Sequence, residues 1–267
     1  MTPRNFLVRG LLAGFIAGLF AFTFGHFVGE VQVDAAIAVE ESAAAPVTDE
    51  SVPHEHDDDA VAGHSHGDEG GTEVSRQNQS TWGLATGLLT VGTAIGGAVG
   101  LASAFAVGRF GRMRPSQSTA MIALIGFISF ALVPFIKYPA TPPAVGDGDT
   151  IGQRTVDFFA MQGISVLAAV GFVLLAHRLL ANLGVYRTLL VAGGGYLGVV
   201  IIAGLLLPTV NEVGAFPADI LWYFRRDSIA TLAIMWGVIG VVLSGLIGRL
   251  YERETLVAAR KTLAASL

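Results

Sequence analysis

The sequence predicts an all-α polytopic membrane protein with six transmembrane helices, five if the first is cleaved, packed through glycine and carrying a disordered outer loop rich in histidine and acid. Three observations predict it. Of 267 residues 52% are hydrophobic and only 14% charged, and the mean hydropathy is +0.62, a balance that suits lipid better than water. A bilayer core takes about 20 apolar residues as a helix, and six stretches qualify: 6–28, 82–107, 118–136, 156–180, 188–207 and 228–250. The third is charge asymmetry. Residues 30–81 hold thirteen acids and one base, Arg76, a net charge of −12, while the whole chain is −5.

The expected organisation is a first transmembrane helix over 1–29, an outer loop over 30–81, a five-helix membrane domain over 82–250 and a tail over 251–267. Arg4 and Arg9 ahead of the first apolar run, with Ala36-Ile-Ala38 beyond it, also fit a signal peptide. The run is longer than an ordinary signal core, which favours a retained helix. Eleven of the sixteen bases fall at the N-terminus, in the second and fourth loops and in the tail. By the positive-inside rule both termini are then cytoplasmic, in the cell (inner) membrane, and residues 30–81 face outside. Nineteen of the twenty-one acids fall on that outer side, making it a surface that attracts cations.

Glycine recurs every four residues at Gly10, Gly14 and Gly18, at Gly25 and Gly29, and again at Gly92, Gly96 and Gly100. Such stripes let helix backbones approach closely in lipid, so the first two helices are expected to pair.

The polar segment from His54 to Glu69 contains two His-x-His pairs, His54/His56 and His64/His66, set among Asp57, Asp58 and further acids. Alternate side chains of an extended segment point the same way, so each pair can offer two imidazoles to one ion. Imidazole with carboxylate suits divalent zinc, nickel, cobalt or copper. A solvated linker whose histidines bind metal incidentally is the alternative. Nearby, His26, Glu30 and Asp34 stand at i, i+4 and i+8, one face of a continuing helix. They read either as a half-site for a divalent ion or as an interfacial histidine beside paired acids.

Two further outer loops are singular. Four prolines lie between Pro134 and Pro143, which argues against regular structure there, with Asp147 and Asp149 as turn residues or cation ligands. In the second, Glu212 follows Pro208 at the mouth of the fifth stretch and is the acid best placed to face a pathway, whereas Asp219 and Asp227 suit helix capping or pairing with Arg225 and Arg226. The chain has no cysteine, hence no disulfide or thiolate site. It also lacks the phosphate-binding G-x-x-x-x-G-K-[ST] pattern, and no His-x-x-x-His lies within a helix, so an enzyme is not expected.

The runs from Phe135 to Gly146, Thr150 to Thr155, and Leu207 to Glu212 with Phe216 to Arg225, together with the His- and acid-rich first outer loop, resemble CbtA, a predicted membrane subunit of bacterial cobalt transporters. The resemblance covers most of the chain outside 31–80. It implies cobalt uptake, commonly in support of cobalamin synthesis, and a small one-span partner, CbtB, with histidines of its own. The family is ordinarily ascribed five spans, one fewer than the stretches counted above.

The expectation is therefore a divalent transition-metal importer, with cobalt as transported ion and no prosthetic group. His54, His56, His64, His66, Asp57 and Asp58 would capture the ion, and His26, Glu30 and Glu212 would line the entrance. The partners expected are the lipid bilayer and the CbtB-like subunit, not nucleic acid, and several copies around one pore are compatible with the sequence. A membrane-anchored metal sensor or buffer without transport is the alternative.

Overall fold

The structure, a computed structural model, describes residues 1–44, 75–109 and 113–266. Among them are five helices long and apolar enough to cross a membrane: α1 (Pro3–Ala43), α2 (Arg76–Ala106), α3 (Pro115–Lys137), α4 (Gly148–Leu206) and α5 (Ala218–Ala265). Large apolar side chains face outward, Phe105, Leu167 and Val241 being 72%, 73% and 74% exposed. Contiguous exposure of this kind is what a lipid-facing surface requires.

Six expected stretches become five helices because the fourth and fifth share α4. A straight α-helix of 59 residues would measure about 88 Å, close to three times the bilayer core of about 30 Å. The helix does not run straight. Gly184 takes φ 71°, ψ 172°, a backbone region that only glycine enters without large strain. Beyond it the chain doubles back, so that Ser165 Oγ and Tyr196 Oη lie 2.8 Å apart. Phe172 also closes over Gly195, where an added Cβ would meet its ring.

Residue 29 is not a helix end, as the sequence led us to expect. A π-turn over Gly25–Gly29 carries the first helix on through Glu30–Ala44, a stretch rich in alanine, valine and glutamate. The second helix likewise begins at Arg76, earlier than residue 82. The glycine stripes zip these two together: a Cβ at Gly18 would lie 2.7 Å from Leu88 O, one at Gly92 2.8 Å from Gly14 O, and one at Gly100 2.6 Å from Phe6 O. Backbone meets backbone along that seam.

α5 fills the remaining side of the core. Met235, Ile239, Leu243 and Ile247, each four residues after the last, are fully buried against Ala13, Ala17 and Ala21 of α1 and Ala123 of α3. Trp236 lies on Gly126 of α3, where a Cβ would come within 2.8 Å of the indole.

Pro134 does not end the third helix, contrary to the expectation that this run excludes helix. A proline leaves the carbonyl four residues earlier without its N–H donor, and here that carbonyl is Phe130 O. A π-turn over Phe127–Leu132 absorbs the ring, and Gln162 Nε2 of α4 donates to Phe130 O at 3.0 Å. In lipid a freed backbone acceptor needs such a substitute. The proline thereby docks α4 onto α3, beside a small second core of Met161, Val200 and Ala203.

Candidate functional site

At one end of the bundle the loops between α3 and α4 and between α4 and α5 close over a cleft of about 890 Å³. Its walls come from Gly25, Gly29 and Glu30 of α1, Arg154 and Phe158 of α4, and Arg225 and Asp227 of α5; Lys137, Tyr138 and Glu212 complete it. Three acids thus face three guanidinium or ammonium groups across one volume.

Glu212 holds the two loops together. Its Oε2 accepts from the Asp147 backbone N–H at 3.1 Å and from Thr150 Oγ1 at 2.9 Å, and lies 3.5 Å from Arg154 Nε. Arg154 also donates from Nη2 to Asp147 O at 3.0 Å. The guanidinium fits only because Gly146, at φ 102°, has no Cβ to meet it. Asp147 itself caps the short turn Gly148–Thr150, accepting from Asp149 N–H at 3.0 Å. Tyr138 Oη donates to Pro208 O at 2.7 Å, and Arg225 Nε donates to Ala140 O at 3.3 Å. The proline-rich run, which beyond the end of α3 pairs its own backbone among the described residues only at Tyr138 N–H to Pro134 O and Val145 N–H to Pro142 O, is therefore pinned largely by side chains.

His26, Glu30 and Asp34 do share one face, and it is turned toward the start of α2. His26 Nδ1 lies 3.0 Å from Ser80 O, its ring stacked on Phe22. Arg76 takes both acids: Nη2 pairs with Glu30 and lies 2.9 Å from Asp34 Oδ1, an oxygen that also accepts from Nε at 3.2 Å. The lone base of the acidic stretch is thus the partner of its first two acids. The sequence carries one signal of it, Arg76 as the single base among thirteen acids over 30–81, but not which of those acids it pairs with.

Asp227 does not cap a helix, because α5 starts nine residues before it. It pairs instead with Arg226, whose Nε donates to Oδ1 at 2.7 Å. Its exposure is 2%, and Oδ2 has no partner among the described residues. Each acid of the cleft is accordingly matched with an arginine: Glu30 with Arg76, Glu212 with Arg154, Asp227 with Arg226.

Asp157 is a further buried acid, 5% exposed, that the sequence reading did not single out. Its Oδ1 accepts from Gln153 Nε2 at 3.0 Å, and Oδ2 is unpartnered. The available signal was its place as the one acid inside the apolar run 156–180. Burial first, and the charge of Asp157 second, push the Tyr138 phenol above its ordinary value.

His54, His56, Asp57, Asp58, His64 and His66 lie outside the described residues. Among the described residues no three histidine, aspartate or glutamate side chains stand close enough together to hold one metal ion. In the arrangement seen, arginines occupy the acids that a cation would need.

A family model described as "Probable cobalt transporter subunit (CbtA)" matches residues 3–248. No curated protein and no solved structure matches the chain.

Proposed function

The chain belongs to the CbtA family of probable cobalt transporter subunits, and from that premise we propose that it is the membrane subunit of a divalent transition-metal importer whose cargo is cobalt. The observation that carries this reading is the cleft. Its acids lie at the end of the bundle where α1 stops and α2 starts, the two points between which the histidine-rich segment is strung. His54, His56, His64 and His66, with Asp57 and Asp58, raise the local ion concentration, and Glu30 and Glu212 form the entrance, with His26, expected there too, one turn before Glu30 and outside the cleft lining.

Each arm of α4 crosses the membrane once, giving six crossings with the break at Gly184 on the cytoplasmic side beside Arg178 and Arg187. Both termini are then cytoplasmic. The N-terminal ammonium lies 2.6 Å from Glu254 near the end of α5, which suits termini that share a face. An inside-negative potential of about 100 mV favours entry of a divalent ion by roughly 4.6 kcal/mol, enough for an accumulation near 10³-fold. Facilitated import therefore needs no hydrolysis by this chain. A subunit implies a partner, for which a one-span CbtB-like protein is our candidate, and self-association is a further candidate.

The test is radiolabelled cobalt uptake by cells carrying the chain with and without that partner. Uptake above empty cells is expected; its absence ends the transport reading, and cobalt binding without flux in liposomes replaces it with a buffer. Cysteine scanning checks the crossings, since the chain contains none. Thr141→Cys should react with an impermeant maleimide in intact cells and Leu183→Cys only after permeabilisation. The reverse pattern would invert the orientation.

A further inference from the structure

With each acid of the cleft matched to an arginine, two cations are left over. Lys137 and Arg225 both line the volume, and neither is ion-paired with a carboxylate among the described residues, where Glu30, Glu212 and Asp227 are taken by Arg76, Arg154 and Arg226. Asp147, Asp149 and Asp157 do not border the cleft.

Both cations keep donors in reserve. Lys137 Nζ lies over the Tyr138 ring, 5.4 Å from its centroid, a contact that leaves its charge and its three N–H donors unspent. Arg225 is half-buried and gives Nε to Ala140 O at 3.3 Å. Its Nη1 and Nη2 have no acceptor among the described residues and, unlike Asp227 Oδ2, are not sealed from solvent. The bond to Ala140 sets the guanidinium three residues past Lys137, and three residues span at most about 11 Å. The two charges therefore serve one stretch of loop.

Positive charge partly withdrawn from water and left without a counter-ion is unfavourable until an anion meets it. A free guanidinium edge offers two parallel N–H donors, the geometry that suits two oxygens of a phosphate, and an ammonium adds a point charge. The rest of the wall is apolar: Phe135, Val145 and Phe158 line it together with Ile151 and Phe159. The last two are also exposed, so the wall runs on into the outward apolar surface of the bundle. Two open cations beside an apolar wall that reaches lipid fit an anion with a hydrocarbon part.

We propose that Lys137 and Arg225 form a binding site for a phosphate-class anion, and that its occupant is the headgroup of an anionic phospholipid whose acyl part lies along the apolar wall. Such an occupant cancels the positive charge that an entering cation would otherwise meet beside Glu30 and Glu212.

The experiment takes the full chain, purified in detergent and stripped of lipid, and counts bound phosphatidylglycerol by native mass spectrometry during a titration. Phosphatidylglycerol should bind more tightly than phosphatidylcholine. Lys137→Gln and Arg225→Gln should each raise its dissociation constant by on the order of tenfold, while Arg178→Gln, at the cytoplasmic side, should leave it unchanged. The Lys137 side chain makes no hydrogen bond among the described residues, so Lys137→Gln tests the site even where Arg225→Gln, which also loses the bond to Ala140, unsettles the loop. Equal affinity for the two lipids, or an unchanged constant in Lys137→Gln, overturns the proposal. A second arm adds inorganic phosphate: displacement of the lipid by phosphate in the unaltered chain supports recognition through the phosphate. Phosphate binding that depends on Lys137 with no lipid retained overturns the phospholipid and assigns the site to a soluble anion. Cobalt uptake plays no part in these readouts, so the importer and the anion site stand or fall separately.

Discussion

The seam between α1 and α2 and the cleft beside it are built from the same helix and the same four-residue glycine spacing, yet they do opposite things. At Gly10, Gly14 and Gly18 the missing side chain is filled by the backbone of α2. Two turns further along, Gly25 touches only the ends of Leu84 and Leu88, and at Gly29 nothing lies within 4 Å; both border the cleft. Between them the π-turn Gly25–Gly29 shifts the register of the helix. One glycine stripe therefore makes a rigid floor below and an open mouth above, and the difference is made by what faces it.

The largest break in that comparison comes from filling the seam. Gly96→Val places a branched side chain where the Gly14 Cα and N already stand within 2.6 Å of a single Cβ. Backbone cannot yield as a flexible side chain can, so the cost should exceed the roughly 1–3 kcal/mol of ordinary overpacking. The expected outcome is loss of monodisperse protein on size-exclusion chromatography in detergent. Gly29→Val is the matched test at the open end and should leave yield and elution unchanged. Equal damage from both would mean that the stripe packs along its whole length.

A smaller break is expected at the clasp. Glu212→Ala leaves the Asp147 N–H, Thr150 Oγ1 and Arg154 without their shared acceptor. Losing a half-buried acceptor of this kind costs about 1–3 kcal/mol, which should loosen the two loops while the α1–α2 seam stays intact. Hydrogen exchange should rise over 138–150 and 208–216 but not over 6–21, with cobalt uptake reduced several-fold. Glu212→Gln retains an acceptor and should lie between. Unchanged exchange in the loops would remove Glu212 from the role of clasp.

How much of this was legible in the sequence follows the same division. The glycine seam was, because in lipid the spacing alone selects the face that two helices can share. The face shared by His26, Glu30 and Asp34 was too, since it follows from 3.6 residues per turn. What faces those groups was not. Arg76 is 42 residues from Asp34, and no local pattern places its guanidinium between Glu30 and Asp34. Pro134 was misread because proline disfavours helix only while its i−4 carbonyl has no other donor, and Gln162 supplies one from a different helix. Gly184 was hidden in a run of apolar residues, where one backbone angle turns a long helix into a hairpin. Asp227 shows the same limit, since its pairing with Arg226 was within reach of the sequence while the unpartnered Oδ2 appears only once α5 is extended back to Ala218.

The smallest expected effect concerns the histidines, and it sharpens the contrast by separating capture from passage. Replacing His54, His56, His64 and His66 with alanine removes the imidazoles and leaves seam, clasp and Asp227 untouched. Uptake at scarce cobalt should fall a few-fold, while uptake at saturating cobalt should not change, because a lure raises local concentration without altering the path. The pH dependence has a fixed sign. Imidazole binds metal only when neutral, so below its unperturbed value of about 6.5 protons displace the ion, and uptake at scarce metal should decline between pH 7.5 and 5.5 in the unaltered chain. In the alanine chain that decline should shrink. Should both chains lose uptake equally across this range, the titrating group belongs to the cleft or to the partner, and the histidines are not what concentrates the ion.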